Sequence, residues 1–452
     1  MKSTLRILTL AAAAVCVAQP VARGQVVPGP SYDYYGPAGI QAGTTNWQVG
    51  TEHGYVAPAA YATAVGTCAD CDGNGDACKT PQESCGCLAC RQRALCTRTF
   101  ASVEYMHWWN KGRHLPALVT TVRPGVTNPI PSQTYLDSPD HQLLFGDDNI
   151  GGDLQAAGRL TVGLWLDDSR SLGIGARTFG VEGCNSGYYA ESDGTVPLAR
   201  PFVRTGPPFP PSETSLLVSF PANPGVPIAT ITGDLGIWSE NEVFGSEVFL
   251  RYLVDQGLSY RLDFLVGYHF TRINDDLLQT QQSVTLGTVY DIQDLFRASN
   301  EFHGGEFGLL GEWHSSRWTF SALGKISFGN MEQRLDVSGQ TNVTSGATTT
   351  SYEGGLFAQP TNIGTYKRDT SVWLPEANFR LAYDLTDRLS LHVGYTFMYW
   401  TRVALAGDQL DRNINETQFL GGQLVGSATP RYLAADTDFW VQSIDIGASW
   451  NY

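Results

Sequence analysis

Beyond its first two dozen residues the chain has no apolar run near the ~20 residues that a transmembrane helix requires. A helical membrane protein is therefore excluded. Basic residues are outnumbered: 29 Lys and Arg stand against 44 Asp and Glu, for a net charge of −15. That balance argues against a nucleic-acid partner, which wants a basic surface. Lysine is scarce and methionine scarcer, with four in all. There are no helical heptads and no repeat of solenoid period. The eight histidines are scattered, and no Ser-His-Asp or metal-ligand constellation stands out. The expectation is a protein that is not an enzyme and carries no cofactor, with loop-borne catalysis a minor alternative.

The N-terminus is built for export. Lys2 and Arg6 precede an apolar segment from Ile7 to Ala18, and Ala22 and Gly24 offer a small-x-small cleavage site before Gln25. That reads as a secretory signal peptide over residues 1–24. An exported chain without a membrane helix is periplasmic, secreted or an outer-membrane β-barrel. Mean hydropathy is slightly negative, at −0.15, but a barrel hides its hydrophobicity in alternation, so the average does not decide.

The alternation is there. In 258–271 Leu258, Tyr260, Leu262, Phe264, Val266, Tyr268 and Phe270 share one face, and Ser259, Arg261, Asp263, Gly267, His269 and Thr271 share the other. Successive strand residues point to opposite faces, so this is one greasy face and one polar face. The run suits the ~9–11 residues of a tilted membrane strand. The pattern recurs in 317–328, 373–383 and 389–401, and more weakly in 98–109, 156–166, 171–181, 243–253, 303–313 and 439–450.

Short and long connections alternate between these strands. Asp167-Asp168-Ser169-Arg170, Asp255-Gln256-Gly257, His314-Ser315-Ser316 and Asp384-Leu385-Thr386-Asp387 are tight turns. The stretches 110–154, 182–242, 274–302, 339–370 and 402–438 read as long loops. The fold expected is all-β: a transmembrane antiparallel up-and-down barrel of about ten strands, with short periplasmic turns and long external loops. Twelve strands is the alternative, if 182–242 hides a hairpin near Ile228 to Ile237.

The chain finishes on a strict alternation. Asp445, Gly447, Trp450 and Tyr452 match the C-terminal assembly signal of outer-membrane barrels, which would make the barrel-assembly machinery a partner. On the inner faces, Glu247, Arg251, Arg261, Asp263, Glu306, Glu312, Arg317, Lys325, Glu376 and Arg380 bring both signs of charge into the lumen. A ten-stranded barrel lies near the size that side chains fill, and an unpaired buried charge is very costly. These charges are expected to pair and to close or narrow the lumen, with a small polar channel as the other reading.

Cys68, Cys71, Cys78, Cys85, Cys87, Cys90 and Cys96 crowd into one segment before the first strand, and Cys184 lies far downstream. In an exported chain the expected state is disulfides. Cys184 opens a loop expected on the external side, so it should not meet the cluster. Cys68-x-x-Cys71 and Cys87-x-x-Cys90 also have zinc-knuckle spacing, and the first matches a single repeat of the zinc domain of DnaJ-type chaperones. Asp70, Asp72, Asn74 and Asp76 have the spacing of a Ca²⁺ loop, but Pro81 stands where its closing Glu belongs. No metal is expected. The segment could tie the barrel to another envelope component.

From about residue 97 onward the chain resembles the beta barrel porin-7 family of outer-membrane proteins, found mainly in planctomycete bacteria. The resemblance rests on the order of several pieces. These are Val103-Glu104-Tyr105 with Trp108-Trp109, Leu115-Pro116-Ala117-Leu118-Val119-Thr120-Thr121, Leu144-Phe145-Gly146 and Gly158-Arg159-Leu160 with Gly163-Leu164-Trp165-Leu166-Asp167. Later pieces are Arg261-Leu262-Asp263 with Gly267-Tyr268, Pro375-Glu376, Gly394-Tyr395 with Tyr399-Trp400, Gly407-Asp408-Gln409-Leu410-Asp411 and Asn415. Ala404-Leu405-Ala406 departs from the pattern, where an Arg would be expected nearby. The resemblance implies a barrel over 97–452 among outer-membrane lipid, preceded by an extension over 25–96 with its Cys-rich part at 68–96. It implies little about activity. A structural envelope component or restricted pore is expected, with a surface adhesin or binding protein using the long loops as the alternative.

Overall fold

A computed structural model describes residues 98–451, apart from 224 and 227. Ten antiparallel strands make the ring of an eleven-stranded main sheet: β1 (Thr99–Asn110), β2 (Gln155–Trp165), β3 (Leu172–Ser192), β4 (Thr232–Gln256), β5 (Tyr260–Thr285), β6 (Thr288–Ser315), β7 (Trp318–Ser345), β8 (Gly364–Asp384), β9 (Leu389–Val403) and β10 (Thr437–Asn451). Each pairs with its neighbours in chain order. β10 returns to β1 through eleven matched positions, from Phe100 opposite Asn451 to Asn110 opposite Val441, and this closes the ring. The barrel is an up-and-down meander of ten strands, and the residues from Ile228 to Ile237 form no extra hairpin: Thr232 onward is the far end of β4.

The outer face follows from the alternation. Val103, Val248, Tyr268, Phe307, Phe328 and Ile446 are exposed large apolar side chains on β1, β4, β5, β6, β7 and β10. Aromatic rings gather where this band ends. Trp318 and Tyr383 lie 4.9 Å apart at the turn end, and Trp373 and Tyr399 lie 6.4 Å apart at the loop end. Rings with a polar edge prefer such borders between hydrocarbon and water. The turn between β2 and β3 is held by Asp167, whose carboxylate accepts from the Ser169 and Ser171 hydroxyls and from the backbone N–H of Ser171 and Leu172 at 2.9 and 3.0 Å. Those bonds, the Ser169 hydroxyl first, hold its carboxyl below the usual carboxylate range.

The barrel is lopsided. β1 and β2 have 12 and 11 residues, while β4, β5, β6 and β7 have 25, 26, 28 and 28. Only ~9–11 are needed to cross the hydrocarbon. Much of what reads as loop in the sequence (182–192, 232–242, 274–302 and 339–345) is strand, rising past the apolar band as a tall wall. There the outer face is neutral or charged and the inner face mixes Leu277 with Gln279, Gln281 and Ser283, so the apolar alternation fades while the pairing continues. Cys184 falls inside β3, opposite Asn241 of β4, rather than at the start of a loop.

True loops fold back inside this wall. Val119–Val122, His141–Phe145, Leu198–Arg204, Ser212–Ser219 and Asn413–Ile414 form a second, five-stranded sheet. Its Val119, Phe202 and Val218, with the preceding Leu118, pack with Leu277, Phe296 and Leu335 of the wall's inner face in one buried core.

Candidate functional site

Among the described residues, the lumen is where the topology gathers chemistry from every strand of the ring. At the turn end it opens as a cavity of about 470 Å³. Its wall holds Arg251 and Arg261, both bonded to the Asp263 carboxylate at 2.7 and 2.8 Å, with Arg251 also reaching Glu312 at 2.7 Å. The two guanidinium groups sit 5.0 and 4.7 Å from the Trp165 ring. A cation over an indole face gains from the ring quadrupole.

The next layer inward is a buried ion-pair network. Lys325 reaches Glu247 at 2.6 Å, Glu306 at 2.8 Å and Glu376 at 3.2 Å. Arg177 bridges Glu247 at 2.6 Å and Glu376 at 2.5 Å. Across the barrel, Glu104 accepts from Arg159 and Arg380 and lies 3.0 Å from His392, and Arg159 reaches Asp445 at 2.8 Å. Glu104, Arg159, Glu247, Glu306, Glu376 and Asp445 are all at most 3% exposed. Ions taken out of water this far are tolerable only when paired and hydrogen-bonded. Glu247, His269 and Glu306 also offer ligand atoms that all lie within 4.8 Å of one another, the grouping among the described residues most like a metal centre. The Lys325 ammonium stands against both carboxylates, so a resident cation is already supplied.

Above the ions the lumen turns apolar. Met106, Trp108, Phe302, Met331, Met398 and Trp400 are at most 1% exposed and belong to one cluster. Beyond it, loop backbone is pinned from inside. Asn300 accepts from the N–H of Ala404 at 2.7 Å and donates to its carbonyl at 2.9 Å, and Asp275 accepts from Ala406 N–H at 2.8 Å and pairs with Arg113. Ala404-Leu405-Ala406 thus belong to an inward-folded segment, which Arg113 supports through Asp275. Higher still, Asp294 accepts the N–H groups of Leu356, Phe357 and Ala358 at 3.2, 3.0 and 2.8 Å, and Arg200 donates to it at 2.8 Å. The neighbouring Gly355 has no room for a side chain: a Cβ there would stand 2.2 Å from the Asp294 carboxylate.

Of the charges expected in the lumen, Glu247, Arg251, Arg261, Asp263, Glu306, Glu312, Lys325, Glu376 and Arg380 lie in these two groups. Arg317 does not. It is exposed in the tight turn between β6 and β7, because the hairpin turns at Ser316-Arg317 and the alternation starts only at Trp318. Sequence reasoning placed His269 on the inner face of its strand and missed Glu104, Arg159 and Arg177 as members. The signal was present, since each shares the inner parity of its strand, but Glu104, Arg159 and Arg177 sit in the weaker strands. Asp445 and Gly447, read as parts of an assembly signal, are lumen residues here. A Cβ on Gly447 would meet Val103 O at 2.4 Å and His392 Nε2 at 2.6 Å. Trp450 is on the outer face. Tyr452, the cysteines from Cys68 to Cys96, and Asp70, Asp72, Asn74 and Asp76 lie outside the described residues.

No curated protein matches this chain in sequence. Among solved structures it is similar to the toluene transporter TodX of P. putida (8% identity, 78% of this chain and 90% of that one, TM-score 0.23) and to a FadL homologue of Pseudomonas aeruginosa (8%, 78% and 90%, TM-score 0.20). It is also similar to OmpT of Vibrio cholerae (7%, 78% and 98%, TM-score 0.14). Likenesses this remote say nothing about transport. Residues 100–452 match the beta barrel porin-7 family. That match takes in every strand of the ring, and the chain belongs to the beta barrel porin-7 family.

Proposed function

We propose that this protein is a structural component of the outer membrane whose barrel is closed at rest and conducts little. The observation that carries the reading is the stacking inside the lumen. A paired ionic layer, an apolar layer and inward-pinned loop backbone follow one another, and their side chains are almost wholly buried. A water-filled porin needs a wide polar lumen, which belongs to barrels of ~16–18 strands. In this reading the tight turns face the periplasm and the tall wall faces outward. Outer-membrane lipid and the barrel-assembly machinery are its partners, and the Cys-rich extension ties it to another envelope component. The protein has no catalytic role.

The test is planar-bilayer recording on protein whose mobility shifts on heating, the mark of a folded barrel. Little steady current is expected. Large uniform ohmic steps would overturn the reading. The display role is the second reading, and it is favoured by strands that run far beyond the apolar band.

A further inference from the structure

The tall wall ends in a free sheet edge. After β7 the chain turns at Gly346-Ala347, with Gly346 at φ 61°, and returns as the six-residue strand Thr348–Glu353. That strand pairs with Gln340–Ser345 of β7. β8 accompanies β7 only as far as Val337, so it does not cover the new edge. Among the described residues no strand pairs with the other side of Thr348–Glu353.

Edges of this kind are normally blunted by charge, proline or a bulge. Thr348-Thr349-Thr350-Ser351 has none of these, is exposed throughout, and is rich in β-branched residues that favour strands. A two-residue turn makes Ser345/Thr348 and Val343/Thr350 the hydrogen-bonded pairs. The N–H and C=O groups of Thr349 and Ser351 therefore point away from β7, toward the open side.

We propose that this edge pairs with the same edge of a second copy carried by a facing membrane. The proposal rests on the barrel reading above. Antiparallel self-pairing about Thr350 sets Thr349 against Ser351, Thr348 against Tyr352 and Ala347 against Glu353. No like charges meet, and about four backbone hydrogen bonds form. The two-fold axis of an antiparallel pair stands perpendicular to its sheet. The sheet here is the barrel wall, so the axis lies in the membrane plane and rotation about it exchanges up and down. Two copies in one membrane are instead related about the membrane normal. That keeps their strands parallel and, in register, sets N–H against N–H. The strand stands roughly 40 Å beyond the apolar band, from about seventeen residues of tilted wall. One such pairing is weak, and many between two surfaces add up.

The test mixes two populations of vesicles with different dyes, each carrying the full chain, and counts tethered pairs. Tethering is expected only when both populations carry the protein. Thr349→Pro removes an outward donor, leaves the backbone pairing to β7 in place and loses only the exposed hydroxyl bond to Thr344; it should cut tethering by about tenfold. Thr350→Cys should give disulfide-linked barrels between the populations, where Gln293→Cys on the outer face of β6, the strand on the other side of β7, gives none. Tethering with protein on one population alone, or wild-type vesicles that stay apart while the heat shift is intact, would overturn the edge pairing. Loss of the heat shift itself would instead overturn the barrel reading.

Discussion

Lys325→Met tests whether the ionic layer holds the barrel together. The ammonium sits within 2.6 to 3.2 Å of three carboxylates. Glu247 and Glu376 each keep Arg177 when it is removed. Glu306 keeps no arginine or lysine: what remains beside it is the His269 ring at 3.8 Å and the like-charged Glu247 carboxylate within 4.8 Å. The loss therefore falls on Glu306. At 2.8 Å and an effective dielectric near 20, the lost attraction is roughly 6 kcal/mol before desolvation is counted. Leaving one partner of a buried pair alone costs about 3–5 kcal/mol in measured cases. The barrel should lose that much in urea unfolding in detergent, followed by the heat-shifted band. Adding Glu306→Gln removes the stranded charge, and the double variant should recover more than half of the loss. A single variant as stable as wild type, or a double variant no better than the single, would refute the argument that Glu306 is held by Lys325.

Asn300→Ala removes both bonds to the Ala404 backbone, leaving a buried N–H and C=O unpaired at a cost of about 1–3 kcal/mol for each group. The inward segment should become sensitive to protease while the barrel stays folded, and unchanged protection would argue that the apolar packing of Leu405 suffices. Asp167→Asn probes pH. The Asp167 carboxyl is held below its ordinary range by the Ser169 and Ser171 hydroxyls, so its contribution is present above the unfolded value near ~3.9 and fades as pH falls below it. Wild type should be more stable than the variant at neutral pH, and the gap should close below about pH 4. A gap independent of pH would refute the assignment.

The strands of the apolar band were legible because lipid imposes a period of two on the outer face whatever the inner face does. Phe264, Val266 and Tyr268 must all meet hydrocarbon, so the strand shows in the sequence itself. Above the band that constraint ends. Gln279, Gln281 and Ser283 still point inward, but their neighbours Leu278, Thr280 and Gln282 have no lipid to satisfy, and the wall reads as loop. The paired charges were legible for a related reason. Glu247, Lys325 and Glu376 interrupt the inner faces of clear strands, and a narrow barrel obliges such charges to find partners.

The sequence by itself determined a closed β-barrel, its strand order, its even count and a charged lumen, because each depends on local alternation and on short turns that join neighbours. Only the tertiary structure decided which charges meet. Glu104 and Arg380 are 276 residues apart and Arg159 and Asp445 are 286, so their pairing comes from closure of the ring and from strand tilt. The same holds for the loops folded inside the wall. Ala404 reaches Asn300 because a loop folds inward to satisfy buried backbone, and no pattern within either segment records the partner.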